Sequence, residues 1–244
     1  MGLELTFIGT GNGFAPARYY SSFLANNRFL FDASPPLMPH LKKLGKDPGD
    51  IEVVFISHFH ADHYFGLPFL MLEYAELAPR TKELTIVGPP GIGKRLQSVT
   101  DLAFPNVFRK DRGYLLRFIE AGDGKSGEAA GCTFVSREVP HVPGIQAFGF
   151  RATFDGRTIA YSGDTVMCDA LVPLADGADV FVVECSCWDE KCGPHLSPKD
   201  ILELRRRISP STTFILTHMG AGQAPAALTD AGILVADDLK TIVV

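Results

Sequence analysis

Residues Ser57-His58-Phe59-His60-Ala61-Asp62-His63 put three imidazoles and one carboxylate into six positions, directly after the apolar run Val53-Val54-Phe55-Ile56. Such a run reads as a buried strand that stops at the cluster. Burying these side chains without partners costs several kcal/mol, so a shared partner is needed at the strand end. Neutral imidazole and carboxylate are the donors that a borderline cation such as zinc prefers. The spacing therefore calls for a fold that closes a metal site at the end of a buried strand, and it points to metal-assisted hydrolysis.

The 244 residues suffice for one sizeable core, and with no internal repeat or linker, residues 1–244 are read as a single hydrolase domain. Leu3 to Gly9 reads as a first strand, and Ser22 to Ala25 with Arg28 to Asp32 as a hairpin turning at Asn26-Asn27. Helices are expected over Pro36 to Leu44, His63 to about Leu77, Gly91 to Ala103, Ser197 to Ile208 and Ala224 to Ala231. Further strands are expected at Glu52 to Ile56, Leu84 to Val87, Cys132 to Glu138, Ala147 to Ala152, Thr158 to Ser162, Val180 to Cys185 and Phe214 to Thr217. Asp155-Gly156 signals a hairpin turn, and Gly122 to Gly131 reads as a loop. Hairpins interleaved with helices predict an α/β layered fold, two sheets inside and helices outside.

A formal charge of −5 argues against broad nucleic-acid binding by phosphate neutralisation. The basic groups Lys42, Lys43, Lys46 and Arg205-Arg206-Arg207 read as solvated helix faces. No segment reaches the ~18 apolar residues that span a bilayer, the first residues do not resemble a leader, and a cytoplasmic protein is expected. Gly2 is discounted as a lipidation site, because Thr6 lies in a strand-like run. Cys132, Cys168, Cys185, Cys187 and Cys192 are odd in number and scattered, so reduced thiols are expected rather than a disulfide framework or a structural metal site.

Seven histidines are present; His40 falls in a helical segment and reads as a surface or boundary residue, and the others lie at strand ends or in loops. His141 follows Val139-Pro140, Asp164 follows Tyr161-Ser162-Gly163, and His218 follows Leu216-Thr217. Strand ends are rigid supports, which a metal site requires. The ordered set His58-x-His60-x-Asp62-His63, His141, Asp164 and His218 resembles the metallo-β-lactamase fold superfamily, from Thr6 to Gly220. The resemblance implies an αββα four-layer sandwich, two mixed sheets flanked by helices, with two divalent metal ions at one sheet edge. It implies that His58, His60 and His141 bind one ion, that Asp62, His63 and His218 bind the other, and that Asp164 bridges them. Zinc is the expected metal, with manganese or iron as alternatives.

Phe7-Ile8-Gly9-Thr10-Gly11, Gly66-Leu67-Pro68, Tyr161-Ser162-Gly163-Asp164-Thr165 and Leu216-Thr217-His218 are similar to ribonuclease Z and related phosphodiesterases. This branch implies a metal-bridging hydroxide that attacks phosphorus in line, with Asp62 steering its proton. His195, in Pro194-His195-Leu196-Ser197, matches the branch's extra histidine and would stabilise or protonate the leaving oxygen; Glu184 could orient it. Ribonuclease Z enzymes carry a transfer-RNA-gripping arm, placed in short bacterial forms between the third and fourth motifs; only 22 residues separate His141 from Asp164 here. The Cys-rich insertion of phosphonate-pathway cyclic phosphodiesterases is likewise absent between Gly13 and Ser22. The expected substrate is a small or cyclic phosphodiester or an RNA end, and relatives of this branch are often homodimers. The alternatives are another hydrolase on the same metals (lactone, thioester or β-lactam) and a metal-holding sensor without turnover. Gly88-Pro89-Pro90-Gly91-Ile92-Gly93-Lys94 looks like a phosphate-binding loop, but Arg95 stands where Ser or Thr would hold magnesium. Gly9-x-Gly11-x-Gly13 fails the dinucleotide pattern and reads as backbone passing close to the metal site.

Overall fold

The computed structural model describes residues 2–78, 80–189 and 192–244. The first half runs β1 (Glu4–Gly9), β2 (Ser22–Ala25), β3 (Phe29–Phe31), α1 (Leu37–Lys43), β4 (Val53–Phe55), α2 (Ala61–Tyr64), α3 (Leu67–Glu76), β5 (Leu84–Gly88), α4 (Ile92–Ala103) and β6 (Leu116–Glu120). The second runs β7 (Ser126–Ala129), β8 (Cys132–Val139), β9 (Ala147–Phe154), β10 (Arg157–Tyr161), α5 (Leu171–Ala175), β11 (Val180–Glu184), α6 (Pro198–Arg207), β12 (Thr213–Thr217), α7 (Ala226–Asp230), β13 (Leu234–Val235) and β14 (Lys240–Val243). Among the described residues these strands form two seven-stranded sheets, ordered β14-β1-β2-β3-β4-β5-β6 and β13-β12-β11-β10-β9-β8-β7. Both sheets are mixed: β3 to β6 and β10 to β13 run parallel, and the remaining pairs are antiparallel.

The period-two alternation of each strand sorts its side chains into layers. Phe7, Phe23, Phe29, Phe31 and Phe55 of the first sheet meet Phe134, Phe148, Phe150, Phe154 and Tyr161 of the second. Phe29 stacks on Phe154 with ring centroids 4.1 Å apart. Each fully buried aromatic of this kind contributes about 1.5–3 kcal/mol. The intervening residues Leu24, Leu30, Val54 and Ile86 face outward, onto Leu41, Leu70 and Leu96 of α1, α3 and α4. Ala160, Phe181, Val183 and Leu216 do the same beneath Leu171, Ile201, Leu204 and Leu228 of α5 to α7. The result is the expected αββα sandwich.

Both sequence-predicted hairpins are present. Asn26 and Asn27 have φ of 46° and 58°, and Asp155 and Gly156 have φ of 51° and 74°. Two left-handed residues in succession are what a two-residue hairpin turn requires. Parallel strands deliver their carboxyl ends to one edge of the sandwich, where ligands bind in open α/β sheets. β4 leads to His58, β10 to Asp164, β11 ends in Glu184 and β12 leads to His218. No helix among the described residues is long and apolar enough to cross a membrane.

Four expectations are corrected. The segment Gly122 to Gly131 is not all loop: β7 pairs with β8 from Ser126↔Val135 to Ala129↔Cys132. As an edge strand it needs few apolar side chains, which hides it in the sequence. His40 is buried, its ring 4.1 Å from that of Tyr19. Cys187 and Cys192 form a disulfide, while Cys132, Cys168 and Cys185 are free. A C-x4-C spacing does not announce this pairing. Arg205 is not simply solvated: it donates to the carbonyls of Ser209, Pro210 and Thr212 beyond the end of α6.

Candidate metal centre

Three elements bring the first group of donors together. His58 and His60 lie on the turn between β4 and α2, and His141 follows β8. His58 Nε2 lies 2.8 Å from His60 Nδ1, which lies 3.3 Å from His141 Nε2. A second group forms beside it. His63 Nε2 lies 3.2 Å from His218 Nε2, and Asp62 Oδ2 lies 3.6 Å and 3.8 Å from those two nitrogens. Asp164 Oδ2 lies between the groups, 3.8 Å and 3.9 Å from His58 and His141 and 3.3 Å and 3.2 Å from His63 and His218. Four donors at ~2.0–2.1 Å around a tetrahedral zinc are separated by roughly 3.3 Å, so the observed spacings fit two adjacent cation sites.

The outer contacts fix which nitrogen each ring turns inward. His63 Nδ1 donates to Asp32 Oδ2 at 2.7 Å. Asp32 is fully buried, and it also accepts from Ser57 N, Ser57 Oγ and the Tyr161 hydroxyl. Because the Ser57 hydroxyl proton is spent on Asp32, His58 Nδ1 donates to Ser57 Oγ at 3.0 Å. His141 Nδ1 donates to the Pro194 carbonyl at 3.1 Å, and His218 Nδ1 to Ser186 Oγ at 2.7 Å. Four rings therefore present Nε2 lone pairs to the centre. Facing lone pairs repel unless a cation stands among them, and an outer donor of this kind is the usual support of a metal-binding histidine. Asp164 Oδ1 points the same way: it is buried and has no hydrogen-bond partner. The donor set thus fits divalent metal ions.

Electrostatics agree. Burial pushes His58, His60 and His141 below the ordinary imidazole value, which leaves them neutral as ligands must be. Burial also opposes charge on His63, but Asp164 and Asp32 outweigh it and hold its pKa well above the ordinary value. The interior between those carboxylates demands positive charge. Asp62 is depressed well below the carboxylate range: burial opposes this, and the contact with His218 and the charge on His63 prevail. Asp32 and His218 both adopt left-handed backbone, with φ of 55° and 53°. Such non-glycine conformations concentrate at functional sites.

Glu184 and His195 form one unit. His195 Nδ1 donates to Glu184 Oε1 at 2.9 Å, and Glu184 is fully buried at the end of β11. The same Oε1 accepts from Thr165 N, and Oε2 accepts from Ser186 Oγ. Burial lowers the pKa of His195, but the hydrogen bond and charge of Glu184 raise it above the ordinary value. His195 shares a cavity of about 560 Å³ with His60, Asp62, His141, Asp164 and His218. The glycine reading holds at Gly13, where a Cβ would lie 2.8 Å from Asp62 Oδ2; Gly9 instead makes room for the β1–β2 loop, a Cβ there lying 2.2 Å from the Tyr20 carbonyl. The phosphate-loop lookalike is structural, because Gly91 N at the start of α4 donates to Glu120 Oε1.

Every metal-site residue read from the sequence is thus found at one edge of the sandwich. Asp32, Tyr161 and Ser186 were missed as parts of it. The signal for Asp32 was present: Phe29-Leu30-Phe31-Asp32 is an apolar run ending in a carboxylate, like Phe181-Val182-Val183-Glu184.

Residues 27–219 match the model of the beta-lactamase superfamily domain. The chain belongs to that superfamily. Among its relatives, a ribonuclease Z of Mycobacterium bovis is 29% identical over 198 residues, which cover 74% of this chain and 69% of the relative. A ribonuclease Z of Bacillus licheniformis is 29% identical, with 90% of this chain and 89% of the relative covered. Among solved structures, the metallo-beta-lactamase fold protein YhfI from Bacillus subtilis superposes with a TM-score of 0.78 at 18% identity, covering 98% of this chain and 99% of that one. Within the superfamily the chain is ribonuclease Z-like, as its Ser162-Gly163-Asp164-Thr165 turn implied.

Proposed function

We propose that this superfamily member is a dinuclear metal-dependent phosphodiester hydrolase, a single domain over residues 1–244, that acts on a small or cyclic phosphodiester or an RNA end. The observation that carries this reading is the convergence of two donor groups on the one oxygen of Asp164. His58, His60, His141 and Asp164 would hold one ion, and Asp62, His63 and His218 the other, with Asp164 Oδ2 also within 3.3 Å of His63 and 3.2 Å of His218 to share it. Zinc is the proposed metal, because the donors are mostly imidazole. Two such ions would lower the pKa of a water towards neutrality and offset charge on a phosphoryl oxygen.

The remaining steps fall to the chain. Asp62, held as a carboxylate, accepts and orients the proton of the attacking water. His195, whose Nδ1 donates to the buried Glu184 carboxylate, would deliver a proton to the leaving alkoxide. Substrate size is bounded by the walls. No Lys or Arg lines the cavity among the described residues, so nothing there tracks a polyanionic chain. The stretch between His141 and Asp164, where short bacterial ribonuclease Z enzymes insert their arm, is taken up by β9, its turn and β10.

His195→Ala should lower kcat by about 10²–10⁴ while two ions per chain are retained. The loss should be larger for an alkyl leaving group than for p-nitrophenolate, which departs with little protonation. Turnover of bis(p-nitrophenyl) phosphate and an alkyl diester, beside a lactone and a thioester, tests this. A variant equally active on both diesters removes His195 from the mechanism. Faster turnover of the lactone or thioester moves the substrate class.

A further inference from the structure

The loop between β1 and β2 carries a residue that the chemistry above leaves unused. Phe14 is 94% exposed, the most solvent-open of the large apolar side chains among the described residues, yet it lines the cavity of the metal centre. A loose loop could let such a side chain fold down onto apolar neighbours. This loop is pinned on both sides of it. Asn12 N donates to the Met219 carbonyl and Asn12 Nδ2 to the Ser186 carbonyl, both at 3.0 Å. Phe14 N donates to Asn12 Oδ1 at 3.0 Å. Further along, Arg18 donates to Thr10 Oγ1 at 2.8 Å, and Asp238 accepts from Thr10 N and Tyr19 N at 2.8 Å and 2.7 Å. Through Met219 and Ser186 the loop is tied to the segments that carry His218 and Glu184, so the backbone that bears Phe14 is held relative to the donors.

The rest of the mouth is of one character. Tyr20, Val142 and Pro194 line it with Phe14, and Tyr20 is 37% exposed. The cavity offers phosphate-directed groups on its floor, apolar and aromatic faces at its rim, and no Lys or Arg among the described residues. That pattern fits a ligand with one phosphodiester and one flat, uncharged ring beside it. Every nucleobase has such a face, and stacking on an aromatic side chain is indifferent to which base it is.

Resting on the hydrolase reading above, we propose that Phe14 is a specificity-determining residue: a stacking platform that selects phosphodiesters carrying a nucleobase next to the scissile phosphate. No bond is made or broken at Phe14; it acts through binding alone. The ring therefore acts on KM more than on kcat.

The test compares two five-membered cyclic phosphates, adenosine 2′,3′-cyclic phosphate and glycerol 1,2-cyclic phosphate, which share the reacting ring and differ in the base. In the wild type, kcat/KM for the nucleotide should exceed that for the glycerol ester by on the order of tenfold. Phe14→Ala should erase this preference through KM and leave the glycerol ester within about twofold, and Phe14→Trp should keep it. Calorimetric binding of adenosine 5′-monophosphate and ribose 5-phosphate gives a readout independent of turnover. If the wild type hydrolyses neither ester nor bis(p-nitrophenyl) phosphate, the hydrolase reading fails, and the loss in Phe14→Ala of tighter binding by the nucleotide still supports the platform. Equal preference in wild type and Phe14→Ala, in both assays, overturns it. So does a Phe14→Ala effect confined to oligomeric state in sedimentation, which would make the ring a contact between copies.

Discussion

Asp164→Ala is expected to hold at most one ion per chain and to lose phosphodiester turnover by on the order of 10³-fold or more. Its carboxylate is buried, and its Oδ2 is the atom common to both donor groups. Two cations a few ångströms apart repel strongly in a low-dielectric interior. Asp164 is the buried negative charge that stands between them, so its loss removes both a shared ligand and the screening of that repulsion. Burial opposes ionisation of Asp164, but His218, His63 and His58 hold its pKa well below the ordinary carboxylate value. It is therefore charged at any working pH. Elemental analysis of chelator-free protein gives the stoichiometry, bis(p-nitrophenyl) phosphate gives the rate, and circular dichroism confirms folding. Two ions and near wild-type turnover in the variant would contradict the bridging role.

Asp32→Ala is expected to cost about 3–5 kcal/mol of stability and to weaken metal binding by about 10–100-fold, although Asp32 belongs to neither donor group. The carboxylate accepts four hydrogen bonds at full burial, from Ser57 N, Ser57 Oγ, His63 Nδ1 and Tyr161. Removing it strands those donors, and each unsatisfied buried donor costs ~1–3 kcal/mol, less than additively in a shared network. At about 2–4 °C per kcal/mol for a chain of this size, the melting temperature should fall by roughly 6–20 °C. Freed from Asp32, His63 also loses the bond that turns its Nε2 inward. Asp32→Asn keeps the volume and one acceptor but presents an amide N–H to other donors, so it should be intermediate in stability. Denaturant unfolding of the metal-free protein separates the stability loss from the affinity loss, which competition with a chromophoric chelator reads. Unchanged stability and affinity in Asp32→Ala would show that the rings are oriented by other means.

The contrast between these two residues shows what a sequence reveals of such a site. Asp164 was legible because it lies in a recognisable turn after a strand and completes an ordered set of donors. The cluster from His58 to His63 was legible from spacing alone, since no ordinary core explains it. Asp32 showed only its place at the end of an apolar run; its role exists only once β3, β4, β10 and α2 converge, because its partners are 25, 31 and 129 positions away. Glu184 lay between the two cases. Its position at a strand end suggested that it orients His195, and the 2.9 Å contact bears that out.

The fold divides along the same line. Core strands such as β4 and β11 are continuous apolar runs, and the Asn26-Asn27 turn sets a hairpin locally. β6 and β7 went unread because their burial is partial and their pairing, not their composition, makes them strands. The Cys187–Cys192 pairing is not announced by its spacing, and His40 is buried because the β1–β2 loop sets Tyr19 over it.

The central claim is that two cations sit side by side in this chain. Native mass spectrometry of wild-type protein, purified without chelator and supplied with zinc, measures it directly. The account predicts two ions per chain, falling to at most one in Asp164→Ala. A wild-type chain that binds only one ion, or none, under those conditions would contradict it.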